Sequence, residues 1–243
     1  MKELDKSLEI LHHTPPFTVH RVGVVYVSLG QTQEMEILSN QHGSLTYSHV
    51  VARLGRVMSG VQWHVPADYI MSWWNDVLDI YFHVATMMPN IHECLFKKQQ
   101  IGNDAVKIIW NDGGRSFDMD TLPSEFNLIN IIVEPHSRAA SGAAFSTSLS
   151  KYFKVSMQTP SKLRLPPVTP LQGYKLVTLE ALPSVLRQCA QLACHFCDAW
   201  INTGADGAIR YPLMRNREAR MRCIEGTKKH LHNKVKPQTQ NVS

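Results

Sequence analysis

From Lys97 to Trp110 the chain reads KKQQIGNDAVKIIW: two ammonium groups, two carboxamides, a Gly-Asn-Asp corner and an apolar run. Gly102 can adopt backbone angles closed to other residues, and Asn103 and Asp104 tolerate such corners best. A carboxamide both donates and accepts hydrogen bonds. Asn103, held on a stiff corner downstream of Lys97 and Lys98, could therefore serve chemistry. It could also be an ordinary turn, and on local chemistry alone the turn is the stronger reading.

The elements that must position this corner follow from hydrophobic patterning. From Ala105 onward the apolar residues predict a strand, with Val106, Ile108 and Trp110 on one face and Ala105, Lys107 and Ile109 on the other. Ile91 to Gln100 has helical composition. Val19–Leu29 and Phe126–Val133 are apolar enough for central strands, and Val77–Met88 reads as a long strand that ends at Pro89-Asn90. Tyr69–Asn75 reads as a further strand with a turn at Asn75-Asp76, and Gly55–Pro66 as a strand and connection. Phe145–Met157 reads as an edge strand protected by Lys151 and Lys154. Ser44 caps a helix through Leu54. Leu179–Trp200 carries the clearest helical stripe: Leu182, Val185, Leu186, Cys189, Leu192, Ala193, Phe196 and Trp200. A last helix spans Leu213–Leu231, and four prolines between Pro160 and Pro170 predict an extended connector. The fold class is α/β: a central mixed β-sheet flanked by helices, with two helices at the C-terminal end. Residues 1–14 form a leader helix, 15–206 the main domain, and 207–243 a basic helix and tail.

At 243 residues, 44% apolar and 19% charged, the chain is that of a folded protein with a sizeable core. No apolar run approaches a bilayer span and the start is no secretory signal, so a cytoplasmic protein is expected. Five cysteines, irregularly spaced, do not suggest a disulfide framework. Cys194-His-Phe-Cys197 lies mid-helix without a second ligand pair, so core cysteines are expected rather than a metal site. The net charge of +5 is concentrated between Arg210 and Lys236, which argues against a whole-domain nucleic-acid surface. That basic helix could meet an anionic membrane or an acidic partner, with a solvated face as the plainer reading. No phosphate-binding P-loop, G-x-G-x-x-G or G-x-S-x-G motif occurs.

Four stretches together resemble the GTPase-activating domain shared by regulators of Rap, Ral and Rheb. They are VGVVYVSLGQTQEMEILSN from Val22, DIYFHVATMMP from Asp79, KKQQIGNDAVKIIWND from Lys97, and FNLINIIVEP from Phe126. The later EALPSVLRQCAQLACHFCDAW and RYPLMRNREAR resemble the tuberin branch of the family, which implies Rheb as the GTPase. The resemblance implies an asparagine thumb, here Asn103, inserted into the partner's nucleotide site. It also implies that Lys98, and Lys97 with it, docks the switch region or phosphates, while Gln100, Gly102 and Asp104 support the thumb. Two positions depart from the family pattern basic-Arg-His-I/L-G-N-D: Gln99 replaces arginine and Gln100 replaces the supporting histidine. Glutamine hydrogen-bonds but carries no charge. The region from Gly55 to Asp68 is also shorter than in tuberin.

On this reading the chain needs no metal or cofactor of its own, since GTP and magnesium belong to the partner. It is expected to be a GTPase activator and no enzyme itself. Its expected partner is a small GTPase of the Rheb, Rap or Ral type. A hamartin-like protein, a second copy and peripheral endomembrane contact through the basic tail are further partner expectations, and nucleic acid is not. The alternative from another class is a catalytically degenerate domain of the same fold, serving as a GTPase-binding or scaffold module.

Overall fold

A computed structural model describes residues 6–9, 11, 18–59, 69–76, 78–91, 94–136, 152–161, 173–201 and 215–235. The strands are β1 (Thr18–Val27), β2 (Arg56–Ser59), β3 (Tyr69–Trp74), β4 (Leu78–Val84), β5 (Val106–Asn111), β6 (Ile129–Pro135), β7 (Tyr152–Gln158) and β8 (Tyr174–Thr178). They form one eight-stranded sheet in the order β2-β3-β4-β1-β5-β6-β7-β8. The inner strands β4, β1, β5 and β6 run parallel, and the outer pairs are antiparallel. All six residues of β5 are buried, as its unbroken apolar run predicts for a strand covered on both faces. The mixed α/β architecture expected from the sequence is the one found.

Helices cover both faces. Those labelled here are α1 (Glu34–Leu38), α2 (Leu45–Leu54), α3 (Leu95–Gly102), α4 (Leu182–Ile201) and α5 (Arg215–Val235). On one face, Tyr47, Val50, Val51 and Leu54 of α2 join Leu182, Leu186, Cys189 and Ala193 of α4 over Val24, Ile108, Trp110 and Ile131. On the other, Ile37 and Leu38 of α1 and Ile101 of α3 pack on Val25, Ile109 and Ile132, with Phe117 and Leu122. Ser44 caps α2 as expected, its hydroxyl accepting from Tyr47 N at 3.3 Å. Asn75 closes the β3–β4 turn by accepting from Leu78 N at 3.0 Å. α5 meets the helical residues of the N-terminal segment: Arg220 donates to Leu11 O, and Cys223 Sγ to Ser7 O at 3.4 Å.

Two sequence expectations need correction. β7 is no edge strand, because β8 pairs along its outer side. Lys154 instead bonds Glu134 at 3.4 Å across β6 and lies over the Tyr174 ring. The buried stripe of α4 is rotated: Ala190, Cys194 and Cys197 face the core, whereas Leu192 and Trp200 are exposed. Residues 137–151 and 162–172, which carry the expected loop and most of the proline connector, lie outside the described set.

Trp110 is the centre of the larger core, its ring 5.8 Å from that of Tyr47 and 5.2 Å from that of Phe153. Trp110→Ala is expected to lose about 3–5 kcal/mol of stability. Urea unfolding followed by circular dichroism measures this as a fall in midpoint with a similar slope.

Candidate functional site

The helix carrying the Gly-Asn-Asp corner is fixed at several points before its terminal asparagine is reached. Cys94, at its N-terminal boundary, holds φ 65°, a left-handed conformation uncommon outside glycine. Lys97 is fully buried, and its ammonium donates to Leu38 O at 2.9 Å and Asn40 O at 3.0 Å. Burial lowers the Lys97 pKa from the ordinary lysine value. The accepting loop is itself braced, since Gln31 accepts from Ser28 N at 2.8 Å and Asn40 donates to Tyr26 O at 2.9 Å. Lys97 thus ties α3 to the C-terminal end of α1 and the loop after it, so its ammonium faces inward rather than out towards the docking surface the resemblance implies. Its neighbour Lys98, one step around the helix, pairs with Glu34 at 2.6 Å with its own side chain 45% exposed.

Past the helix the chain turns inward. Asp104 is buried, and His83 Nδ1 lies 2.9 Å from its Oδ2 and 3.1 Å from its Oδ1. Desolvation raises the Asp104 pKa, opposed by the His83 hydrogen bond and charge and by Lys107 and Arg21. The carboxylate fits because β1 carries glycine beneath it: a Cβ on Gly23 would stand 3.3 Å from Asp104 Oδ2 and 3.2 Å from Lys107 Cγ. His83, Gly23, Lys107, Asn130 and Gln158 are in register across β4, β1, β5, β6 and β7, forming a polar row. Burial pushes the Lys107 ammonium down to about 8, against Asp104 and Glu34, which raise it.

Asn103 stands between these anchors. It is the C-cap of α3, with φ −83° and ψ −6°, and its side chain is exposed. Ile101 and Asp104 on either side are buried, so a carboxamide projects from a fixed backbone. Gly102 does not adopt the left-handed angles expected of the corner; it closes α3 and its carbonyl accepts from the Ser124 hydroxyl. Gln99 is exposed and Gln100 half-buried, and neither side chain is hydrogen-bonded among the described residues.

A cavity of about 300 Å³ opens beside Asn103, lined also by His20, Arg21, Asp104, Cys194, Cys197 and Asp198. Arg21 is exposed and forms no salt bridge among the described residues. The sequence reading missed it and His83, although a lone polar residue inside a continuous apolar strand is a signal of its own. A larger cavity, about 890 Å³, lies along residues 116–125 and the end of β7 and adjoins the site through Ser124. Cys194 and Cys197 are core thiols; burial raises both, Cys197 to about 12, so neither is a reactive thiolate.

His20 is buried beside the cavity, its ring 4.8 Å from that of His195 and Nδ1 3.6 Å from Asp198 Oδ2. The carboxylate would favour the charged ring, but desolvation and the His195 charge dominate and lower the pKa to about 4. Between pH 4 and 6.5 the unfolded chain binds a proton at this residue that the folded chain refuses. Stability is therefore lost as pH falls through that window. Acid titration of the melting point should show up to about 3 kcal/mol of loss attributable to His20, removed in His20→Phe.

Comparison with known proteins gives one consistent answer. The profile of the Rap/ran-GAP family matches residues 37–223. The tuberous sclerosis 2 protein homolog of Schizosaccharomyces pombe is 29% identical over 217 residues, covering 83% of this chain and 16% of the yeast protein. The human Ral GTPase-activating protein subunit alpha-1 is 28% identical over 183 residues, covering 70% of this chain and 8% of the human one. Among solved structures, the TSC2 GAP domain is 34% identical with a TM-score of 0.65, covering 76% of this chain and 99% of that domain. The chain thus spans less than a fifth of these full-length relatives.

Proposed function

The chain belongs to the Rap/ran-GAP family, and on that footing we propose that it accelerates GTP hydrolysis on a Rheb-type small GTPase through the Asn103 carboxamide. Membership also corrects an expectation drawn from the sequence, that the chain is no enzyme. A GTPase-activating domain speeds hydrolysis and is released unchanged, which makes it a catalyst; the matches to the family and to the TSC2 GAP domain overturn the negative reading.

The observation that carries the proposal is Asn103 itself: an exposed amide held between the buried side chains of Ile101 and Asp104. A carboxamide inserted beside a γ-phosphate can accept from the attacking water while donating to a phosphate oxygen. Being neutral, it enters without the desolvation penalty of a charge, unlike an arginine finger. The helix C-terminus behind it presents carbonyls, which disfavours an approaching phosphate. Arg21 beside the cavity and the Ser124 hydroxyl on Gly102 O offset that. Lys98 would dock an acidic switch region by exchanging Glu34, an exposed pairing that contributes little and is easily replaced.

The choice of Rheb rests on the similarity to the TSC2 GAP domain and the yeast homolog. A hamartin-like partner, a second copy, a cytoplasmic setting and contact of α5 with anionic membrane belong to the same proposal for a longer parent protein. No described helix is long and apolar enough to cross a membrane.

Single-turnover GTP hydrolysis by Rheb, Rap and Ral, each with and without this protein, tests the reading. Rheb should respond most. Asn103→Ala should lose about 10²–10³ of the stimulation with an unchanged melting point. Stimulation by that variant equal to the wild type would sink the thumb.

A further inference from the structure

We propose that Gly102 and the Phe126 ring form a contact seat for the partner GTPase, on which the rim of its nucleotide site rests while Asn103 enters. This deepens the function proposed above and rests on it.

The first observation concerns what Gly102 does not do. It lies in a helix, where glycine is less stable than alanine, so its presence calls for a reason. Seven other described glycines have one inside the fold. A Cβ on Gly23, Gly43, Gly55 or Gly113 would meet neighbouring atoms closer than 3.4 Å, and Gly30, Gly114 and Gly173 have positive φ. Gly102 has neither: its φ is not left-handed and an added Cβ meets nothing within 4 Å. Gly226, within α5, shares that freedom. What distinguishes Gly102 is its place, one residue before the exposed Asn103. A side chain that inserts into a partner brings the adjacent backbone to that partner's surface. Bare Cα surface there lets the two molecules approach by the thickness of one methyl group.

The second observation is independent. Phe126 is 59% exposed, a large apolar side chain left outside both cores. One hydroxyl holds it next to the glycine: Ser124 Oγ donates to Gly102 O and accepts from Phe126 N at 3.2 Å. The backbones of the two residues are therefore linked through one side chain, next to the thumb. An exposed aromatic side chain, on a residue whose N–H shares a hydroxyl with the Gly102 carbonyl, is of the type enriched as an anchor in protein interfaces. Its occupant is a GTPase segment carrying an apolar side chain against Phe126 and backbone or a small residue over Gly102. Continuity with Asn103 selects the GTPase over any other protein, because both residues must face whatever the thumb enters.

The test compares Gly102→Ala, Phe126→Ser, Gly226→Ala and Asn103→Ala in the intact chain. Melting points are measured alongside GTP hydrolysis at varied activator concentration, with whichever of Rheb, Rap or Ral responds to the wild type. Gly102→Ala should melt about 1–3 °C higher while its KM for the GTPase rises about tenfold. Gly226→Ala should melt higher with unaltered kinetics. Phe126→Ser should keep its melting point and show a comparable rise in KM. A merely structural glycine would move stability and activity in the same direction. Wild-type KM in either Gly102→Ala or Phe126→Ser, or a lower melting point in Gly102→Ala, overturns the seat even where Asn103→Ala is inactive and the thumb stands. An active Asn103→Ala, or a wild type that stimulates none of the three GTPases, removes the thumb and the seat together.

Discussion

The burial of Asp104 decides where Asn103 points. An aspartate at 1% exposure is an expensive feature, and desolvation is the leading influence on its pKa. Such a group persists only where its surroundings hold it: His83 by hydrogen bond, Lys107 and Arg21 by charge, and Gly23 by leaving room. Burying such a group costs desolvation that offsets much of the attraction of its partners, and here their contacts hold Asp104 inside. Geometry is what the site needs. With Ile101 drawn into the core three residues earlier, the backbone between them is pinned at both ends and the intervening asparagine is left outside. Lys97 adds a second tether by donating to two carbonyls of the α1 loop.

The placement also departs from the usual logic of nucleotide sites in α/β sheets. Those sites lie at the C-terminal ends of parallel strands and use helix N-termini to hold phosphate. Here Asn103 sits at the N-terminal end of β5 and at the C-terminus of a helix. That is a poor place to hold a phosphate and a suitable place from which to extend a neutral amide towards one held elsewhere. That geometry suits the division of labour in the function proposed above, in which the partner would hold the nucleotide and this domain would supply a positioned group.

Much of this was legible in the residues, and what was missed has identifiable causes. β1, β4, β5 and β6 declare themselves because strands buried on both faces are almost unbroken apolar runs. β8 (YKLVT) does not: it is five residues long, has only Val177 buried, and follows a proline-rich stretch. Lys97 and Lys98 look equivalent by type, yet Lys97 stands four residues before Ile101 and shares its inward face. That spacing was enough to separate an internal brace from a surface charge. His20, Arg21 and His83 were hidden within strands judged by their apolar neighbours, although polar residues in such runs must be either satisfied or functional. The Gly-Asn-Asp corner misled because glycine suggested a left-handed turn. Gly102 proved helical, and its openness towards solvent is visible only once the neighbouring elements are in place.

The same geometry bears on Gln99 and Gln100, where the family pattern has arginine and histidine. If a histidine at position 100 served to stiffen the thumb, its loss here is covered, because the stiffness comes from His83 on Asp104, Lys97 on the α1 loop and Ser124 on Gly102. None of these uses a side chain at position 99 or 100. If those positions instead supplied positive charge to the partner, Arg21 stands exposed on the cavity beside Asn103 and supplies charge from β1. Under the function proposed above, these are the groups that would stand in for the two absent side chains.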